Sequence, residues 1–390
     1  MKIKLNYLVL AIVLPVCLAS CEPKKKQGAP APEPIVAVTD TSETNAVNLV
    51  PDEALNNAAR FVAGLPVKND SSKLYDLMET ETWKAHARNM DQIWNAFQQT
   101  APKLMAFRQN ELADINARCH TLFYPFGGPD YLFPNTFFPE MDTCFLIGLE
   151  RPGRAINIDK PSTETYRLYQ NAVSDILNLS FFRTDDMKQE LFNDTIDGVV
   201  PIISVLMVRS GREIVSIRNV KITDEGNIAD TNEDGTPIIR GTGMVEFKYF
   251  RNGTRKLQTL YYLSTDLSNG GFPHKKPLLA YLDKFDAATT ATFIKSASYL
   301  MHVSYFSAIR DAVLDHSSAV LQDDSGIPLP FYNSEEWDVT LYGTFLKPIS
   351  MFAKYVQPEL RAAYEQADAK PLNFRIGYAR QSNLQIARKK

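Results

Sequence analysis

The sequence predicts an α/β or α+β fold, in which a single compact domain over residues 49–390 contains a mixed sheet flanked by helices. Segments with apolar residues three and four positions apart alternate with short apolar runs rich in strand-forming residues. No repeat recurs at the 20 to 50 residue periods of solenoids. No second proline-rich linker divides the chain after residue 48. Hydrophobic residues make up 45% of the chain, which is enough for one large core.

The first twenty residues have the three parts of a secretory signal. Lys2 and Lys4 precede an apolar run over residues 5–16, and the small residues Ala19 and Ser20 follow it. The run is shorter than the ~20 apolar residues that a membrane-spanning helix needs. We therefore expect residues 1–20 to be a signal peptide that is cleaved.

The tetrapeptide Leu18-Ala19-Ser20-Cys21 resembles a bacterial lipobox. This resemblance implies lipid attachment to the Cys21 sulfur and cleavage just before it. Two or more acyl chains hold a protein stably on a membrane, so the expected location is the bacterial cell envelope, with the outer membrane favoured. The alternative is an ordinary secretory signal that happens to contain cysteines.

Residues 21–48 are rich in proline, alanine and threonine and are expected to be a flexible tether. The whole chain has a formal net charge of −3, and loss of Lys2 and Lys4 makes the mature chain more acidic still. Nucleic-acid-binding domains usually have a strong basic excess. Nucleic acid is therefore not expected as a partner.

Apolar spacing and helix punctuation predict helices over residues 51–62 and 74–97, with a restart at Thr100–Pro102. Further helices are predicted from Pro161 onward, from Thr184 as N-cap, and over residues 198–208.

The most distinctive stretch is residues 119–153. Residues 119–126 and 143–150 are predicted to be neighbouring parallel strands, joined by Gly127-Gly128-Pro129 and a short helix. In that arrangement Asp130 lies in the crevice beyond a strand's carboxyl end, where open α/β sheets bind ligands. The alternative is that Asp130 only balances the helix dipole.

In the second half of the chain, residues 213–223 are predicted to be a strand. Residues 244–251 and 254–264 are predicted to form a hairpin around Asn252-Gly253. Residues 280–285, 307–314 and 355–369 are predicted to be helical, and residues 372–378 a closing strand. The acidic segment 224–236 lacks the closing glutamate of a calcium loop and is predicted to be a solvated loop.

The body of the chain is also similar to an uncharacterised group of bacterial exported proteins. The similarity rests on Tyr124-Pro-Phe-Gly-Gly-Pro-Asp130 and Gln322-Asp-Asp-Ser-Gly-Ile-Pro328. No activity is assigned to that group, so the resemblance implies no functional residues.

Motifs for common chemistries are absent from the sequence. There is no G-x-S-x-G, no H-E-x-x-H and no C-x-x-C, and the five histidines lack ligand spacing. We therefore expect no cofactor and no metal.

A candidate catalytic site remains, made of His120, Asp130, Asp323 and Asp324. Carboxylates can act as general acid and base if burial raises the pKa of one of them. Each residue also has a structural interpretation, as a turn aspartate, a helix-start aspartate or a histidine near a strand. Two functions follow: a lipid-anchored binding protein, or alternatively a periplasmic or surface hydrolase with a carboxylate-based site.

The cysteines allow one disulfide. Cleavage removes Cys17 and lipidation occupies Cys21, leaving Cys119 and Cys144. Export places the pair in an oxidising compartment where disulfides persist. The sequence leaves two alternatives open, a bridge between them or two buried free thiols.

Overall fold

The computed structural model describes residues 49–68, 73–158, 161–179, 196–231, 243–251, 253–378 and 383–390. Residues Leu49–Lys390 form one unit by their internal contacts. The predicted signal peptide, tether and lipidation site lie outside the described residues, as do the predicted helix from Thr184 and Asn252 of the predicted turn.

The predicted fold class is confirmed, because a ten-stranded mixed sheet forms the centre of this unit with helices packed against it. The strands stand in the order β4-β3-β5-β6-β2-β1-β7-β8-β10-β9. Their bounds are β1 Thr121–Tyr124, β2 Thr143–Gly148, β3 Arg212–Ile222, β4 Ile228–Asp230, β5 Gly243–Arg251, β6 Leu257–Ser264, β7 Thr290–Ile294, β8 Ala319–Gln322, β9 Trp337–Gly343 and β10 Asn383–Lys389.

Ten α-helices lie in the described ranges. They are α1 Glu53–Val62, α2 Lys73–Met78, α3 Glu81–Glu111, α4 Ala113–Arg118, α5 Leu132–Phe137, α6 Thr163–Leu179, α7 Val200–Arg209, α8 Lys276–Leu282, α9 Ser307–His316 and α10 Pro358–Gln366. None of the helices in the part of the chain that the structure describes is both long and apolar enough to cross a bilayer.

Both faces of the central strands of the sheet are buried. Leu122 and Tyr124 of β1 belong to the larger hydrophobic core, together with apolar residues of α1, α3, α6 and α7. Phe123, between them in the sequence, belongs to a second core with residues of α8 and α9. Successive strand side chains point to opposite faces, so a strand covered on both sides must be apolar throughout. This explains why β1 and β2 are continuous apolar runs rather than alternating ones.

Five adjacent strands, β6, β2, β1, β7 and β8, are parallel to one another, and the outer pairs are antiparallel. The predicted parallel unit is confirmed, because Thr121 pairs with Thr143 and Tyr124 with Leu146. The short helix α5 connects the two strands as predicted. The predicted hairpin is also confirmed, with Phe250 of β5 opposite Leu257 of β6.

Three local predictions are wrong. Helix α3 does not restart near Pro102 but runs through it, with Trp94 and Leu104 buried on either side, so packing of the helix face outweighs the lost hydrogen bond. Residues 228–230 of the predicted acidic loop pair with β3. Residues 372–378 form no strand: Phe374 and Ile376 are buried as their alternation predicts, but β10 occupies the position beside β8.

Candidate functional site

The topological switch point of the sheet lies between β1 and β7. From β1 the chain passes to β2 on one side, and later it returns to place β7 on the other side. Because these strands are parallel, their carboxyl ends meet at one edge, and the crevice there is where open α/β sheets bind ligands. We call the cavity found at this edge the switch-point cavity.

The switch-point cavity encloses about 260 Å³. The segments that follow β1, β2, β6 and β7 supply most of its walls. Its lining residues are Phe126, Gly127, Gly128, Asp130, Ile147, Gly148, Leu149, Glu150, Thr265, Asp266, Leu267, Lys295, Ser296, Ala297, Ser298, Leu300 and Phe306.

The turn after β1 brings Asp130 into the cavity wall. A Cβ atom at Gly127 would lie 2.7 Å from the Tyr124 ring, so the chain can turn this closely only with glycine there. Asp130 is buried, and its Oδ1 accepts a hydrogen bond from Phe133 N at 3.3 Å. The structural interpretation of Asp130 therefore holds in part, since this carboxylate binds an amide in the first turn of α5.

The other carboxylate oxygen of Asp130 contacts a tyrosine hydroxyl and a buried lysine. Asp130 Oδ2 accepts a hydrogen bond from the Tyr124 hydroxyl at 3.0 Å and lies 2.8 Å from Lys295 Nζ. The Lys295 side chain is only 1% exposed, and its ammonium lies 3.9 Å from the centre of the Phe133 ring. Burial lowers the pKa of Lys295, while the charges of Asp130 and Asp323 oppose that shift. Asp130 and Lys295 thus form a buried ion pair across the switch point.

Asp323 and Asp324 follow β8 and support the cavity rather than line it, as far as the described residues show. Asp323 Oδ2 accepts a hydrogen bond from Ser296 N at 2.9 Å, and its Oδ1 accepts one from Ser325 N at 3.0 Å. Burial raises the pKa of Asp323. Asp324 Oδ2 accepts a hydrogen bond from the Tyr299 hydroxyl at 2.7 Å. Burial, followed by the charge of Asp323, raises the pKa of Asp324 to about 7.

The segment after β7 has an unusual backbone. Ser296, Ser298 and Tyr299 have φ angles of 52°, 52° and 54°, in the left-handed region that non-glycine residues seldom adopt. Internal hydrogen bonds hold it there: Ser296 N donates to Asp323, and Ala297 N donates to Ser325 Oγ at 2.8 Å. Such backbone strain clusters at ligand and active sites.

The opposite wall carries two more carboxylates. Glu150 is 4% exposed, and its Oε2 accepts hydrogen bonds from Leu149 N at 3.2 Å and from the Tyr262 hydroxyl at 3.3 Å. A Cβ atom at Gly148 would lie 2.6 Å from that hydroxyl, so glycine is needed for this packing. Asp266 is exposed, and it accepts two hydrogen bonds from Ser268, each at 2.8 Å.

His120 does not belong to this site. It lies just before β1, at the amino end of the strands, and its imidazole is 59% exposed and 3.7 Å from Asp142. A four-residue strand spans roughly 13 Å, so β1 separates His120 from the carboxyl-end cavity. The predicted set of four residues is therefore corrected: only Asp130 lines the cavity, Asp323 and Asp324 support it, and His120 is excluded.

Cys119 and Cys144 are free, buried thiols. Cys144 pairs in register with Leu122, three residues beyond Cys119. Three extended residues span roughly 10 Å, which exceeds the ~7 Å Cα separation that a disulfide tolerates. The two cysteines therefore form no disulfide. Of the two alternatives, the structure agrees with two buried free thiols.

Three of the charged residues that line the cavity were not identified from the sequence: Lys295, Glu150 and Asp266. Each stands one or two residues after the end of a strand of the parallel part of the sheet, and Lys295 directly follows the fully buried run Thr290–Ile294. A single charged residue directly after a strand could have marked each of them as a candidate site residue. Which of these residues meet in one cavity could be assigned only once the order of the strands was known.

Metal ligation finds no support in the geometry. Across the described ranges, no group of three or more histidine, cysteine, aspartate or glutamate side chains is arranged to hold a metal ion.

No protein-family model matches the chain, and no curated protein sequence is significantly similar to it.

Proposed function

We propose that this chain is a lipid-anchored protein of the bacterial cell envelope, attached to the outer membrane through Cys21, and that its body binds a small ligand in the switch-point cavity. The anchor rests on the lipobox-like Leu18-Ala19-Ser20-Cys21 segment. The ligand site rests on one observation: four parallel strands direct their following segments into a common cavity, at the position where α/β sheets bind ligands.

The composition of the cavity supports a ligand-binding site rather than a packing defect. Apolar residues such as Ile147 and Phe306 form part of the wall, and a few polar groups, including Asp130, converge on it. Ligand pockets typically combine an apolar lining with a small number of placed polar groups. The buried Asp130–Lys295 pair is part of that wall.

A thermal-shift screen of the mature protein against small molecules tests the ligand proposal. A Thr265→Trp variant narrows the cavity from the end of β6, and Lys221→Trp adds the same ring at an exposed site on β3. Hits should raise the melting temperature of the wild-type protein and of Lys221→Trp but not that of Thr265→Trp. Hits that stabilise all three proteins equally would place binding elsewhere and contradict the proposal.

The anchor has its own test. Cys21→Ala removes the sulfur that carries the lipid, so the variant should leave the membrane fraction and lose incorporation of labelled fatty acid. Cys119→Ala is the matched control, because it removes a buried thiol of the body instead. Undiminished membrane attachment of Cys21→Ala would rule out the lipid anchor.

A hydrolase with a carboxylate-based site is the second candidate. The observation that favours it is that Asp130, Glu150 and Asp266 line one cavity, and paired carboxylates can act as general acid and base. The test is a panel of chromogenic ester, amide and glycoside substrates. Activity that falls at least 100-fold in Glu150→Gln or Asp266→Asn would support it, and no turnover above the solvent rate would reject it.

A further inference from the structure

We propose that the switch-point cavity takes a small organic cation, an ammonium group carried on an apolar or aromatic body. This inference rests on the proposed ligand-binding function and specifies the class of ligand. Three independent features of the cavity support it: the formal charge of its lining, the use of its backbone amides, and its aromatic surfaces.

The lining is formally acidic. Asp130, Glu150 and Asp266 face the cavity, whereas Lys295 is its one basic residue among those described. Lys295 is already paired with Asp130 at 2.8 Å and also feels the charge of Asp323. A positively charged ligand reduces this excess of negative charge, whereas an anion increases it.

The backbone amides of the segment after β7 are also unavailable to an anion. Backbone amides in successive turn residues commonly bind phosphate or carboxylate. Here the amides of Ser296 and Ala297 donate to Asp323 and to Ser325, and Ser298 N donates to the Tyr378 hydroxyl at 2.7 Å. These three amides are therefore directed at the protein itself, and no arginine lines the cavity among the described residues.

Aromatic rings complete the environment that an ammonium prefers. Phe126 and Phe306 line the cavity with their ring centres 5.9 Å apart. A cation placed over the face of either ring would be attracted to it. The protein already holds one ammonium in this way, because Lys295 Nζ lies between Asp130 and the Phe133 ring.

The volume limits the size of the ligand. At about 260 Å³ the cavity is slightly smaller than the ~300–1,000 Å³ typical of sites for drug-sized ligands. A single ring with a short charged arm is a suitable size.

Calorimetric titration of the mature protein with three matched probes tests the inference. The probes are 2-phenylethylamine, 2-phenylethanol and phenylacetate, which have similar sizes and carry a positive, zero and negative charge. The amine should bind at least about tenfold more tightly than the alcohol, and phenylacetate should bind most weakly. Equal binding of amine and alcohol, tighter binding of phenylacetate, or no binding of the amine would overturn the inference.

Two isosteric variants test whether the carboxylates of the cavity attract the amine. Glu150→Gln and Asp266→Asn should each weaken the amine about tenfold while leaving the alcohol unchanged. Asp315→Asn, which neutralises an exposed carboxylate on α9 outside the cavity lining, should change neither. Amine binding that is insensitive to Glu150→Gln and Asp266→Asn would contradict the role assigned to the carboxylates.

Failure of this inference can be told apart from failure of the proposed function. If amine and alcohol bind equally and Thr265→Trp abolishes both, the cavity binds ligands and only the charge preference is wrong. If Thr265→Trp changes no binding event, including those found in the broader screen, the cavity is not a binding site, and both the proposed ligand-binding function and this inference are wrong.

Discussion

Lys295 Nζ lies 2.8 Å from Asp130 Oδ2, and both side chains are almost completely buried. The two residues follow neighbouring parallel strands, β7 and β1, on opposite sides of the switch point. Their pairing therefore joins the two halves of the parallel sheet at the edge where its strands have their carboxyl ends. Tyr124 and Phe133 complete the surroundings of the pair.

Lys295→Met should destabilise the protein by about 3–5 kcal/mol, because it leaves the Asp130 carboxylate buried without its cation. Urea unfolding measures this. The double variant Lys295→Met/Asp130→Asn should recover part of the loss, since it removes the uncompensated charge. The control is Arg361→Met, which breaks an exposed pair with Glu365 and should cost less than about 1 kcal/mol. If Lys295→Met also cost less than about 1 kcal/mol, that result would contradict the role assigned to the ion pair.

Asp324→Asn should become increasingly stabilising as the pH rises from about 4 to 8. Burial and the Asp323 charge raise the pKa of Asp324 to about 7, so the native state holds this proton more tightly than the unfolded chain does. The resulting stability is present at low pH and is lost as the pH rises through 7. Asparagine stays neutral and avoids that loss, giving a gain of up to roughly 4 kcal/mol at pH 8.

Unfolding curves recorded at several pH values measure the effect of Asp324→Asn. Asp315→Asn, at an exposed position, should give a constant difference from the wild-type protein. A difference for Asp324→Asn that does not change with pH would show that Asp324 ionises without penalty in the folded protein.

His86 should make the protein less stable in acid. His86 Nε2 lies 2.9 Å from Val62 O, and its Nδ1 lies 2.9 Å from Gln170 Nε2, which is the arrangement of a neutral imidazole. Burial, with a smaller effect from Arg209, lowers the pKa of His86 to about 4. Stability present above pH 6.5 is therefore lost as the pH falls to 4, on the order of 3 kcal/mol.

His86→Gln keeps a donor toward Val62 but cannot gain a proton, so its stability should fall less between pH 7 and pH 4. His274→Gln, an exposed substitution of the same kind, serves as the control. Identical pH profiles for the wild-type protein and His86→Gln would exclude this histidine as the source of the acid sensitivity.

Thiol labelling of the unreduced mature protein should detect two cysteines after unfolding and neither before it. Cys119 and Cys144 are free but 1% and 7% exposed, and burial raises the pKa of the Cys144 thiol above its ordinary value. The reactive thiolate is therefore both inaccessible and disfavoured in the native state. Unfolded protein that labels at neither position without reductant would demonstrate a disulfide.

The sequence was sufficient to predict features that depend on near neighbours along the chain. Helices α1 and α6 follow from apolar spacing and their flanking residues, and the β5–β6 hairpin follows from strand-like segments on either side of a turn signal. The β1–α5–β2 unit follows in the same way, because its crossover is too short for many alternatives. Packing overrode local signals at Pro102 and at residues 372–378.

Only the tertiary structure decided which charged residues meet. Strand order and direction place Asp130 beside Lys295, with Asp323 and Asp324 in support, and they put His120 at the opposite end of β1. These relationships depend on pairings such as β1 with β7, between segments far apart in the chain. Local propensity and periodicity carry no information about such pairings, because they are selected by the burial of the central strands between the two cores.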